Sequence, residues 1–122
     1  MKISEIIKLL NGRCLLGEDL LDHEVEMGFG CDLMSDVLAF TQGKTLLLTG
    51  LSNTQVVRTA EMLDINAIVF VRGKYPTPEV VALAKDNNMM LATTNYTMFT
   101  ACGILYASGL KGIPNDEVMN QL

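Results

Sequence analysis

The chain has 122 residues, a formal net charge of −5 at pH 7 and 49% apolar residues, with no Trp. This length fits one domain, residues 1–122, built around one core, and the composition is far from that of disordered chains. The basic residues are scattered, which argues against a nucleic-acid partner. Every apolar run is far shorter than the roughly 20 residues that cross a membrane, and no signal-peptide core is visible, so we expect a cytoplasmic protein without a membrane partner. The apolar surplus predicts a homodimer, in which a second copy covers one face.

The first forty residues carry weak structural signals. Ser4 is predicted to cap a short amphipathic helix that ends near Leu10. Residues 15–30 predict one or two short strands, because glycines interrupt the pattern there. Asp32 has the position of an N-cap residue for a helix over residues 33–40.

From Thr45 onward, strands and helices alternate. Short apolar runs typical of strands buried on both faces occupy Thr45–Thr49, Ala67–Val71 and Met89–Thr93. Helices are predicted from a cap at Ser52 or Asn53 to Asp64, from Thr77 to Asn87, and from Tyr96 to Ala107. This alternation predicts a three-layer α/β/α domain with a mainly parallel sheet, because right-handed crossovers place helices on both faces. The last residues, Pro114–Leu122, are expected to form one exposed helical turn or a frayed end.

Small and polar residues follow each of these three strands at the point where the strand ends. In a parallel sheet the carboxyl ends of the strands share one edge, and the helix N-termini that follow them attract anions. We therefore predict a ligand-binding edge suited to a phosphate group or a nucleotide. Its predicted residues are Thr49, Gly50, Ser52, Asn53, Arg72, Gly73, Lys74, Thr93, Thr94 and Asn95.

Each of these loops also has an ordinary structural explanation. Residues 50–53 are compatible with a plain strand-to-helix turn and its N-cap, and residues 93–95 are compatible with capping of the last helix. Arg72 and Lys74 are compatible with a solvated turn. The loop after the first of these strands is not a P-loop, since no Gly-Lys-Ser/Thr follows it, and the chain has no GxGxxG sequence.

No catalytic residues, metal site or cofactor are predicted. His23 has no second imidazole and no recognisable Ser or Cys nucleophile, so its acidic neighbours are best explained as a solvated loop. A structural zinc site or an iron–sulfur cluster needs four ligands, and the cysteines are too few and too far apart in sequence to supply them. They are Cys14, Cys31 and Cys102.

Four segments carry a family resemblance: Leu48-Thr49-Gly50, residues 67–73, residues 76–84, and Thr93-Thr94 with the helix that follows. Together they make residues 46–110 resemble DRTGG domains, which are similar to the N-terminal domain of HPr kinase/phosphorylase. Gly50 and Gly73 are the glycines of the name-giving motifs that carry over. The neighbouring residues differ, with Leu51-Ser52 in place of Asp-Arg and Val71-Arg72 in place of Thr-Gly.

The resemblance implies a small α/β/α module that is regulatory or dimer-forming in phosphotransacetylases and in pyrophosphatases with CBS domains, and that is not a catalytic unit. Stand-alone members resemble accessory proteins of anaerobic metabolism, some of them encoded beside hydrogenase or kinase components. The leading hypothesis is a non-enzymatic, dimeric module that senses a nucleotide or another phosphorylated metabolite. The alternative is a protein-interaction or dimerisation module that serves a metabolic enzyme complex without a small ligand.

Overall fold

The structure, a computed structural model, describes residues 1–41 and 43–114. Its helices are α1 (Ile3–Leu9), α2 (Met34–Phe40), α3 (Thr54–Met62), α4 (Pro78–Asp86) and α5 (Met98–Ala107). Its strands are β1 (Arg13–Leu16), β2 (Met27–Gly30), β3 (Thr45–Thr49), β4 (Ala67–Phe70) and β5 (Met90–Thr93). A short 3-10 turn at Glu18–Leu20 lies between β1 and β2. The end predicted for the chain after Pro114 lies outside the described residues.

The five strands form one sheet in the order β1-β5-β4-β3-β2. Strands β2 to β5 run parallel to one another, and β1 pairs antiparallel with β5. The predicted α/β fold with a mainly parallel sheet is therefore confirmed. Of the short strands predicted in residues 15–30, β2 lies within that range, whereas β1 begins earlier, at Arg13. They are the two outermost strands of the sheet, one on each side.

Helices cover both faces of the sheet. Side chains of α1 and α5 pack on one face, and those of α2, α3 and α4 pack on the other. Successive residues of β3 alternate between the two clusters: Leu46 and Leu48 face the first, and Leu47 faces the second. Strands β3, β4 and β5 are buried along their whole length, as parallel strands between two helical layers should be. None of the helices in the described ranges is both long enough and apolar enough to cross a membrane.

Of the predicted N-cap residues Ser4, Asp32 and Thr77, only Thr77 caps its helix. Ser4 does not cap α1, which begins at Ile3 with Lys2 in the cap position. Asp32 does not cap α2, where no side chain makes a capping bond. Thr77 does cap α4, because its hydroxyl accepts a hydrogen bond from the Val80 N–H at 3.4 Å. The Asp32 carboxylate binds the turn between β3 and α3 instead.

Candidate ligand-binding site

The carboxyl ends of strands β2 to β5 open onto one edge of the sheet. In the register of the sheet Gly30 lies beside Leu48, Thr49 beside Phe70, and Phe70 beside Thr93. The loops that follow these strands are therefore neighbours. This is the edge at which open α/β sheets bind ligands, and it carries the residues predicted from the sequence.

Asp32 binds the loop after β3 instead of capping α2. Its Oδ1 accepts hydrogen bonds from the Gly50 N–H at 2.7 Å and from the Thr49 hydroxyl at 2.9 Å. The Thr49 hydroxyl oxygen in turn accepts a hydrogen bond from the Leu51 N–H at 3.2 Å. A carboxylate that follows β2 thus stabilises the turn between β3 and α3, and sequence reasoning missed this contact.

The Arg72 guanidinium lies against Gly50. A Cβ atom added at Gly50 would come within 2.7 Å of Arg72 Nη2 and within 3.4 Å of Asp32 Oδ2. The space that a larger residue would fill at position 50 is therefore taken by the cation. Arg72 and Asp32 are both exposed to solvent, so a positive and a negative group flank the same turn.

Arg72 and Gly73 form a left-handed turn after β4, with φ angles of +59° and +67°. For a residue with a side chain this conformation costs roughly 1–2 kcal/mol. Two backbone hydrogen bonds to the loop after β5 offset that cost, from the Arg72 N–H to the Tyr96 carbonyl and from the Gly73 N–H to the Thr94 carbonyl, each at 2.8 Å. The turn presents the side chains of Arg72 and Lys74 to solvent.

Two of the side chains predicted to contact a ligand, Thr93 and Thr94, face the interior of the protein instead. Thr93 is 5% exposed, and its hydroxyl donates a hydrogen bond to the Lys74 carbonyl at 2.7 Å. Thr94 is 2% exposed, and its hydroxyl donates to the Leu10 carbonyl at 2.7 Å. These hydroxyl groups connect the loop after β5 to the loop after β4 and to the end of α1.

An open groove lies between the loop after β3 and the first turn of α4. It is lined by residues 50–54 and by Thr77 and Glu79. Asn53 is the N-cap residue of α3, but its side chain makes no capping hydrogen bond. Because Ser52, Asn53 and Thr54 line the groove, the N-terminus of α3 borders it with its partial positive charge. Near the turn after β4, the exposed Asn95 places its Oδ1 3.1 Å from the position that a Cβ on Gly73 would take.

His23 lies away from this edge, and the thiols of Cys14 and Cys102 are weakly reactive. His23 is exposed at the amino ends of the strands, on the opposite side of the sheet from the candidate site. It lies beside Lys44 and Asn66, the residues that precede β3 and β4. Burial raises the pKa of the Cys102 thiol and is also the main reason for the raised pKa of Cys14, so both thiols are protonated at neutral pH. Within residues 1–41 and 43–114, no group of three or more His, Cys, Asp or Glu side chains is arranged to hold a metal ion.

The family model described as the DRTGG domain matches residues 5–108. The chain belongs to the DRTGG domain family. The resemblance noted in residues 46–110 is confirmed, and the match also takes in residues 5–40 of this DRTGG chain, where the sequence signals are weak. A comparison with curated proteins finds no match.

The DRTGG chain is similar to a solved structure from Clostridium perfringens, the CBS and DRTGG domains of the regulatory region of a pyrophosphatase, in complex with the activator diadenosine tetraphosphate. The TM-score is 0.69 at 17% sequence identity, over 94% of this chain and 48% of that one. This likeness shows the fold. The DRTGG chain spans about half the length of that structure's chain.

Proposed function

We propose that this DRTGG chain is a non-catalytic regulatory module that senses a nucleotide or another phosphorylated metabolite. The ligand binds at the sheet edge formed by the loops after β3, β4 and β5. The observation that carries the proposal is the pair of exposed cations, Arg72 and Lys74, on a turn that two backbone hydrogen bonds hold in place. A planar guanidinium and a compact ammonium suit phosphate oxygens.

The structural neighbour supports a nucleotide as the ligand. The neighbour is a regulatory region that contains a DRTGG domain and holds a dinucleotide activator. Regulation by a bound nucleotide is therefore compatible with this fold.

The predicted site residues divide into two proposed roles. Residues with side chains at the surface of the edge are proposed to contact the ligand, namely Ser52, Asn53, Arg72, Lys74 and Asn95. Residues that shape the loops are proposed to position those side chains, namely Thr49, Gly50, Gly73, Thr93 and Thr94.

A thermal-shift panel tests the proposal. Phosphate, AMP, ADP, ATP, dinucleotides and acetyl phosphate are added separately, and at least one is expected to raise the melting temperature saturably, because a ligand that binds the native state stabilises it. Replacing Arg72 and Lys74 together by Ala is expected to weaken that binding about 100-fold, since two charge-assisted contacts are lost.

The matched control for this test is the double variant Arg58→Ala with Lys85→Ala. It removes the same two charges from exposed positions on α3 and near the end of α4. The control is expected to bind like the wild type. Unchanged affinity in the Arg72/Lys74 variant, or an equal loss in both variants, would remove these cations from the proposed site.

The outer face of α5 supports the homodimer that the composition predicts. Phe99 is 84% exposed and Tyr106 is 70% exposed, and they lie two turns apart on the same side of the helix. Between them, a Cβ added at Gly103 would meet nothing within 4 Å. Helix α5 carries no charged residue. Two exposed aromatic side chains on an uncharged helix face are typical of a surface that a partner covers.

The variant Phe99→Asp is expected to convert a dimeric wild type into a monomer, because the interface would have to bury an unpaired carboxylate. Light scattering after size-exclusion chromatography measures the mass. Met62→Asp is the control, since Met62 is 73% exposed but lies on α3, on the opposite face of the sheet. A monomeric wild type, or a Phe99→Asp variant that stays dimeric, would contradict this interface.

The same α5 surface favours a second candidate function, that of an interaction module which binds a partner enzyme of anaerobic metabolism without a small ligand. A flat thermal-shift response together with a monomeric wild type would favour this alternative. The search would then turn to protein partners that require Phe99.

A further inference from the structure

We propose that Asp32 makes the site select ligands that carry a ribose diol next to their phosphate groups. This inference rests on the proposed function, since it concerns the same edge of the sheet. Asp32 follows β2, the strand beside β3. Its Oδ1 is already engaged by the Gly50 N–H at 2.7 Å and the Thr49 hydroxyl at 2.9 Å, which orients the carboxyl group.

The second carboxylate oxygen, Oδ2, accepts no hydrogen bond from the residues that the structure describes, which leaves it open to a donor on the ligand. It lies 3.4 Å from the position that a Cβ on Gly50 would take, and Arg72 Nη2 lies 2.7 Å from the same position. An ionised carboxylate accepts hydrogen bonds but donates none. A ligand whose phosphate binds Arg72 therefore gains affinity from Asp32 only if it also places an O–H or N–H group beside that carboxylate.

A nucleotide meets both requirements. Its phosphates accept hydrogen bonds from the cation, and its vicinal ribose hydroxyls donate to the carboxylate. Dinucleotide-binding α/β folds use this division, with phosphates at the turn after one strand and an acidic residue further along the chain that binds the ribose. Here Gly50 lies at the turn after β3, and Asp32 comes earlier in the chain, two residues after the end of the adjacent β2. Inorganic phosphate and acetyl phosphate lack the two vicinal ribose hydroxyls, so they are expected to bind more weakly.

Calorimetric titration with ATP and with 2′,3′-dideoxy-ATP, both without magnesium, tests the inference. The wild type is expected to bind ATP about tenfold more tightly, the value of one hydrogen bond to a charged group. In Asp32→Asn this ratio is expected to fall towards one, because the amide keeps the shape and can still accept from the Gly50 N–H but has lost its charge. Asp36→Asn removes the same charge from the nearby α2 and is expected to keep the tenfold ratio.

The outcomes separate this inference from the proposed function. Equal affinity of the wild type for the two nucleotides, with both weakened by Arg72→Ala and Lys74→Ala, overturns the ribose selection and leaves the phosphate site standing. A tenfold preference that persists in Asp32→Asn overturns the role of Asp32. If neither nucleotide binds the wild type, the selection of a ribose diol is wrong, and a flat response to the rest of the panel removes the proposed function as well.

Discussion

Replacing Phe70 by Ala is expected to lower the free energy of unfolding by about 3–5 kcal/mol. Phe70 lies in β4 with 0% of its surface exposed, and it packs in the cluster beneath α2, α3 and α4. Removing the ring loses its burial and leaves a cavity that close-packed neighbours fill only in part. Chemical denaturation of the wild type and the variant measures the difference.

The same substitution at Phe99 is the matched control. Phe99 is 84% exposed, so Phe99→Ala is expected to change the free energy of unfolding by less than about 1 kcal/mol. The comparison is made at low protein concentration, where subunit association contributes little to stability. Equal losses at Phe70 and Phe99 would contradict the core described above.

Replacing Gly17 by Ala is expected to destabilise the fold by about 2–5 kcal/mol, the sum of backbone strain and overpacking. Gly17 has a φ angle of +83°, and a Cβ there would come within 2.6 Å of Met90 Cα and 2.7 Å of the Met89 carbonyl oxygen. These are backbone atoms at the start of β5, which cannot move without disturbing the sheet. Thermal or chemical unfolding of the variant measures the loss.

The substitution Gly43→Ala separates backbone strain from overpacking as causes of the lost stability. Gly43 also has a positive φ, +57°, but a Cβ added there meets nothing within 4 Å. Gly43→Ala is therefore expected to cost only the strain of the left-handed backbone, roughly 1–2 kcal/mol. If Gly17→Ala lowers the free energy of unfolding no more than Gly43→Ala does, the close packing of Gly17 against β5 is contradicted.

The second half of the fold could be predicted because its signals are local. The run Leu46–Leu48 is apolar on both faces of a strand, and Thr77 followed by Pro78 marks the start of a helix without reference to any distant residue. Strands β1 and β2 gave weak signals because they are the two outermost strands of the sheet, where most positions are only partly buried. The antiparallel pairing of β1 with β5 depends on contacts with a distant part of the chain.

The candidate site could be predicted only in outline. That the loops after β3, β4 and β5 share one edge follows from parallel strands alone. The contact of Asp32 with Gly50 does not follow from local sequence, because an acidic residue before a helix has the same pattern as an N-cap. Only the register of β2 beside β3 brings the carboxylate to that turn. The inward direction of the Thr93 and Thr94 hydroxyls likewise depends on tertiary contacts.

The most direct test of ligand sensing maps a bound nucleotide onto the chain. ATP is titrated into isotope-labelled protein, and the backbone amide resonances are followed by NMR. We expect saturable shifts at the loops after β3 and β4, above all at Ser52, Asn53, Gly73 and Lys74, and their loss in the variant that lacks Arg72 and Lys74. Shifts confined to α5 or to the opposite edge around His23, or no saturable shift at all, would contradict a nucleotide-sensing site at this edge of the sheet.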